Sequence, residues 1–158
     1  MGDLSDHFSL SEFEYSDTAL KRGIVNRCPP ELVQYLRTLS VVLLEPCRAQ
    51  FGPLQVTSGY RCPALNAAVG GVPTSEHTLA CAADVTPVGG WTDTLTRETV
   101  VGWFVAGNLP FDQVIDEGSP DGARWVHIGM APPGHDARRQ ALLWRGAQYV
   151  TFPVLSPA

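Results

Sequence analysis

The chain is short of lysine and of charge. Lys21 is the single lysine among eleven basic residues, acidic residues number sixteen, and charged residues together make up only 17% of the 158. With a net charge of −5 there is no basic face to neutralise a phosphate backbone, which excludes a nucleic-acid partner. No apolar run approaches the ~20 residues needed to cross a bilayer, so no membrane insertion is expected. The opening stretch, Met1–Leu10, is acidic and polar and lacks the basic and apolar regions of a secretory signal. A chain made in the cytoplasm without a signal peptide is therefore expected. Cysteine occurs four times, singly, at Cys28, Cys47, Cys62 and Cys81. The lack of any C-x-x-C pair argues against a thiolate zinc ribbon and a thioredoxin-like motif. Reduced thiols are the default for such a chain, with a disulfide open if it leaves the cell by another route. Repeats, low-complexity blocks and linkers are also missing, so residues 1–158 are expected to form one domain.

Glycine and proline are plentiful, at 15 and 13 residues, and 44% of the chain is hydrophobic. Turns should carry much of the architecture around an ordinary core. Ser9-Leu10-Ser11-Glu12 reads as a capping box, with Phe8 and Phe13 placed as a hydrophobic staple. Pro30 opens a long amphipathic segment with Leu32, Leu36, Leu39, Leu43 and Cys47 on one helical face. Pro46 should kink this helix or mark its last turn. A strand is expected over 54–58, then a loop-rich stretch over 66–76 and a brief strand over 82–85. Thr96 caps a helix reaching Gly107, with Val100, Val101, Phe104 and Val105 facing inward. Residues 111–117 and 125–130 alternate as two strands of a hairpin joined through Gly118-Ser119-Pro120-Asp121-Gly122. Helices first and hairpin strands later give α+β: a small antiparallel sheet packed against helices. Residues 131–158 form a closing segment without an obvious chemical signal.

The sharpest local feature is Ser75-Glu76-His77-Thr78-Leu79-Ala80-Cys81-Ala82-Ala83-Asp84. His77 lies in a polar loop, Asp84 follows seven positions later, and His127 sits in a strand. Two imidazoles and one carboxylate make a catalytic zinc set with a fourth position open for water. Such a site needs a general base, and Glu117 at the end of the preceding strand could reach across the hairpin. Each residue also has a blander reading. His127 could be a hydrogen-bonded strand residue, Asp84 a turn residue and Glu117 a strand-end charge, while Asp116 competes for any role. Cys81 is either a small buried hydrophobe or a soft ligand. Tyr60 and Trp125 are candidates to line a substrate groove. His7 and His135 have no partner pattern.

Several strings in order carry a resemblance. They are Thr57-Ser58-Gly59-Tyr60-Arg61, Leu65-Asn66, Val69-Gly70-Gly71, Ser75-x-His77 through Asp84, Asp112–Glu117 and Trp125-Val126-His127. With His7–Phe13 and Leu44-Glu45-Pro46-x-Arg48, they resemble the zinc D-Ala-D-Ala carboxypeptidase and L-alanyl-D-glutamate endopeptidase family over roughly residues 7–130. That family shares its fold with the Hedgehog signalling domain. The resemblance implies Zn2+ held by His77, Asp84 and His127, with Glu117 as general base. It also implies that Arg61 binds a substrate carboxylate or the developing oxyanion, and that Ser75 orients site or substrate. The implied reaction is amide hydrolysis in the stem peptide of peptidoglycan, by a carboxypeptidase or an endopeptidase. Two departures stand out. The family usually has Gly three residues after the first His, where this chain has Ala80. The connection between Glu117 and His127 is also longer than the family's common one.

The N-terminal strings resemble cell-wall and phage members, which implies action on the wall after holin release, or as a virion component with phage tail or virion proteins as partners. A non-catalytic virion structural or binding module that retains the fold is the competing reading, and a cytosolic D,D-dipeptidase is a third.

Overall fold

The computed structural model describes residues 2–146 and 148–153. The first helix, α1 (Leu10–Glu14), starts where the capping pattern places it. The Glu12 carboxylate accepts from the Ser9 backbone N–H at 2.7 Å and from its hydroxyl at 2.8 Å. Phe8 and Phe13 close the staple edge to face, with ring centroids 6.4 Å apart. A short α2 (Asp17–Arg22) ends on Gly23 in the left-handed conformation.

Pro30 opens α3 (Pro30–Leu39), but the long helix is not uniform. A π turn over Ser40–Leu44 leads into α4 (Glu45–Phe51). Pro46 lies in the first turn of α4, not in the last turn of the helix. The π turn widens the ladder just ahead of the residue that cannot donate, so the helix continues past it. Leu36, Leu39, Leu43 and Cys47 are fully buried along the expected stripe. Thr96 caps α6 (Arg97–Ala106) by accepting from the Thr99 N–H at 3.0 Å. Val100, Val101 and Phe104 face the core, while Val105 is only half-buried.

Between these helices lies a six-stranded sheet in the order β1-β2-β4-β3-β5-β6. Its strands are β1 (Leu54–Ser58), β2 (Ala82–Pro87), β3 (Gln113–Gly118), β4 (Arg124–Gly129), β5 (Gln140–Trp144) and β6 (Tyr149–Thr151). The α+β class is as expected, but the sheet is larger than expected and not wholly antiparallel, because β5 pairs with β3 in parallel. The stretch expected to be loop from residue 66 begins instead inside α5 (Pro63–Ala68), opened by Pro63 at its first position. The closing segment supplies β5 and β6, and its residues 154–158 lie outside the described residues.

Alternation gives the sheet two faces. Val56, Val85, Val126, Val114 and Leu143 point into the helical core. In register with one another on the other face stand Asp84, His127, Ile115 and Leu142, with Glu117 opposite Trp125. A β-bulge between Val56 and Ser58 brings Ser58 opposite Asp84.

Candidate metal centre

His77 enters the site from a single 3-10 turn, Glu76–Leu79, which Ala80 ends in the left-handed conformation (φ 58°). At this position the family that the sequence resembles usually has glycine. Left-handed alanine costs about 1–2 kcal/mol, and burial of its methyl returns about 0.8 kcal/mol. Ala80 is fully buried in the core. Gly59 supplies the carbonyl that fixes the ring: His77 Nδ1 donates to Gly59 O at 2.7 Å. The backbone of Gly59 is pressed so close to α1 that a Cβ would come within 2.5 Å of Phe13 Cα. The capped N-terminal helix therefore helps to set the ring angle of a residue far along the chain.

With Nδ1 engaged, His77 turns Nε2 toward Asp84 Oδ1 at 3.2 Å. His127, opposite Asp84 in the sheet, places Nδ1 2.9 Å from the same oxygen. All three donor atoms lie within 4.8 Å of one another, and all three residues are buried. Zinc bonds of about 2.0–2.2 Å set tetrahedral donors about 3.3–3.5 Å apart. Two imidazole nitrogens and a carboxylate oxygen at this spacing fit that ion.

The electrostatics follow from the crowding. Burial alone would push the Asp84 carboxyl up, but the two histidines hold it well below the carboxylate range. Burial pushes His77 below its ordinary value against the pull of Asp84. Burial also works against a charged His127, yet hydrogen bonds to Asp84 and Glu76 outweigh it and raise this histidine to about 10.

Around the cluster runs a groove of about 670 Å³ whose wall includes Arg61, Ser75, Glu117, Trp125 and Tyr149. Glu117 lies here, and its oxygens accept from Trp125 Nε1 at 2.9 Å and Tyr149 OH at 2.7 Å. Asp116, its rival in sequence, points to the other face and pairs with Arg97 at 2.6 Å. Arg61 pairs with the cluster itself: Nη2 donates to Asp84 Oδ2 at 2.8 Å and Nε to Ser58 Oγ at 2.9 Å. Tyr60 is not brought into the groove. It is 5% exposed and packed in the core, and the Asn26 amide holds its carbonyl at 2.9 Å. Cys81 is fully buried and outside the three-residue cluster, and burial raises its thiol to about 11, as suits a small hydrophobe. The four cysteines are free thiols. Among the described residues no helix is long and apolar enough to cross a membrane.

Sequence reasoning misses three residues. Tyr149 comes from the edge strand of the closing segment. Glu76 lies inside the His77 motif as its unassigned position, with His127 Nε2 3.3 Å from Oε2. Burial raises the Glu76 carboxyl, while the contact with His127 pulls it back. Arg138 bonds Glu76 on one side and Asp112 on the other, the latter through Nε at 2.7 Å. Only the adjacency of Glu76 to His77 could have signalled any of them.

No curated protein matches the chain. A family model described as Peptidase M15 matches residues 6–128, well over half of the sequence and inclusive of all three clustered residues. With the α+β sheet and the His-Asp-His cluster in place, the protein belongs to the peptidase M15 family.

Proposed function

We propose that this chain is a zinc metallopeptidase that hydrolyses amide bonds in the stem peptides of peptidoglycan. The reading rests on one observation above all: a buried His77–Asp84–His127 cluster beside a carboxylate, Glu117, in the same groove. The same reading treats the chain as one catalytic domain, because β5 and β6 extend the sheet that carries the cluster.

A zinc ion held by His77, Asp84 and His127 would supply Lewis acidity, polarising the scissile carbonyl and lowering the pKa of water toward ~7. Glu117 takes the proton of the attacking water and passes it to the leaving amine. A carboxylate offers about four lone-pair sites, and Trp125 and Tyr149 engage two of them, so acceptor capacity is left for that proton. Arg61 uses two of its donors on Asp84 and Ser58, leaving others for a substrate carbonyl or carboxylate oxygen. Past Arg61 and Trp125 a second depression of about 330 Å³ continues toward Tyr15 and Leu65. This supports a peptide lying on both sides of the cut bond.

The test is digestion of purified peptidoglycan with and without chelator, with products read by mass. Released D-Ala indicates a carboxypeptidase and released stem peptides an endopeptidase. No chelator-sensitive product from several wall types refutes the proposal. Glu117→Ala is expected to keep zinc and lose about 10²–10⁴-fold in rate. Full activity in that variant refutes the assignment of the base.

A further inference from the structure

We propose that Glu76 is a positioning residue for the metal: its carboxylate accepts the Nε2–H of His127 and so turns the Nδ1 lone pair of that ring toward His77 and Asp84. The inference rests on the zinc reading above. Its starting point is that the two nitrogens of His127 face two different carboxylates, Nδ1 toward Asp84 at 2.9 Å and Nε2 toward Glu76 at 3.3 Å. Only one nitrogen can ligate, and the other then carries the proton. The nitrogen beside the remaining donors is Nδ1, so Nε2 is the one that needs an acceptor. A carboxylate there fixes tautomer and ring orientation and strengthens the ligand.

Two features keep the Glu76 carboxylate in place. Arg138 clamps its other oxygen and is itself held by Asp112. Gly129, two residues beyond His127 in β4, leaves the space. A Cβ at Gly129 would stand 1.9 Å from Glu76 Oε2 and 3.3 Å from His127 Nε2. The φ of Gly129 is not positive, so the backbone does not require glycine there. The position is small because the carboxylate lies against it.

A purely structural role accounts for the site poorly. The Arg138 side chain is 55% exposed and already has Asp112 as partner, so it does not need a second, buried carboxylate. Burying a carboxylate costs several kcal/mol, and here it ends against the outer nitrogen of a cluster histidine.

The test uses the full chain as wild type, Glu76→Ala, Glu76→Gln and Gly129→Ala. Zinc affinity is read by competition with a chromophoric chelator. Long-range 15N–1H correlation spectra of the zinc-loaded wild type show which His127 nitrogen carries hydrogen. Expected are an Nε2–H on His127, a loss of about 10–100-fold in zinc affinity for Glu76→Ala and Gly129→Ala, and substantial retention in Glu76→Gln, which keeps an oxygen acceptor. Zinc bound through His127 Nε2 in the wild type overturns the proposal even if no variant folds. So does Glu76→Ala binding zinc within threefold of wild type. A wild type that takes up no zinc at all instead overturns the zinc reading, and this inference with it.

Discussion

On the proposed reading zinc competes with a proton for His127, and the size of that competition follows from the site. In the metal-free cluster, Asp84 and Glu76 hold the imidazolium to about 10, so His127 is charged throughout the neutral range. Burial keeps His77 below its ordinary value, and Asp84 is ionised, so neither adds a proton in the upper part of that range. Because ligands bind deprotonated, zinc should displace one proton, the one on Nδ1 of His127. At pH 7 this opposes binding by about three decades, or roughly 4 kcal/mol at 1.36 kcal/mol per pH unit. The sign is definite. The raised value favours the charged ring in the metal-free fold, fully below the ordinary 6.5 and fading as pH rises through about 10. Metal affinity therefore climbs with pH. Between pH 6 and 7 affinity should rise at least about tenfold, because water on the ion, half ionised near pH 7, adds to the proton lost from His127. Calorimetry in buffers of different ionisation enthalpy should count at least one proton released per zinc. A pH-independent affinity, or no proton released, would refute the reasoning.

Two further outcomes can be checked on stability. Leu39→Ala, at a fully buried position of the helical stripe, should cost about 2–5 kcal/mol in urea denaturation. A loss below about 1 kcal/mol would mean that the stripe is not the core it looks to be. Arg138→Ala should make the protein more sensitive to acid. Burial raises the Asp112 carboxyl, but hydrogen bonds from the Arg138 guanidinium and backbone N–H outweigh this and hold it at about 2. Its contribution is thus complete above the ordinary 3.8 and lost as pH falls toward 2. An acid-unfolding midpoint unchanged in the variant would contradict that pairing.

The legible part of the site was the part written in local strings. His77 and Asp84 share one short motif, His127 lies in an alternating strand, and Glu117 precedes the turn of the same hairpin. Spacing could not choose between Glu117 and Asp116, because the choice depends on which face of β3 looks into the groove. The pairing of β3 with β4 decides it, setting Glu117 opposite Trp125 and leaving Asp116 to Arg97. Tyr60 misled for the related reason that adjacency to Arg61 does not give it the same neighbours. Its ring turns into the core while Arg61 turns to Asp84.

By itself the sequence determined the helix starts, the apolar stripe of Leu36 to Cys47, the hairpin and the identity of the His-Asp-His set. The helix starts, stripe and hairpin follow from capping chemistry and periodicity, which act over a few positions, and the choice of His77, Asp84 and His127 follows from the family resemblance of the strings that hold them. The tertiary structure alone decided that Gly59 and α1 fix one histidine and that Glu76, Arg138 and Gly129 surround the other. It also decided that Tyr149 from the last strand reaches Glu117. Those contacts join residues far apart in the chain, and they depend on α1 packing beside β1 and on the sheet order β1-β2-β4-β3-β5-β6.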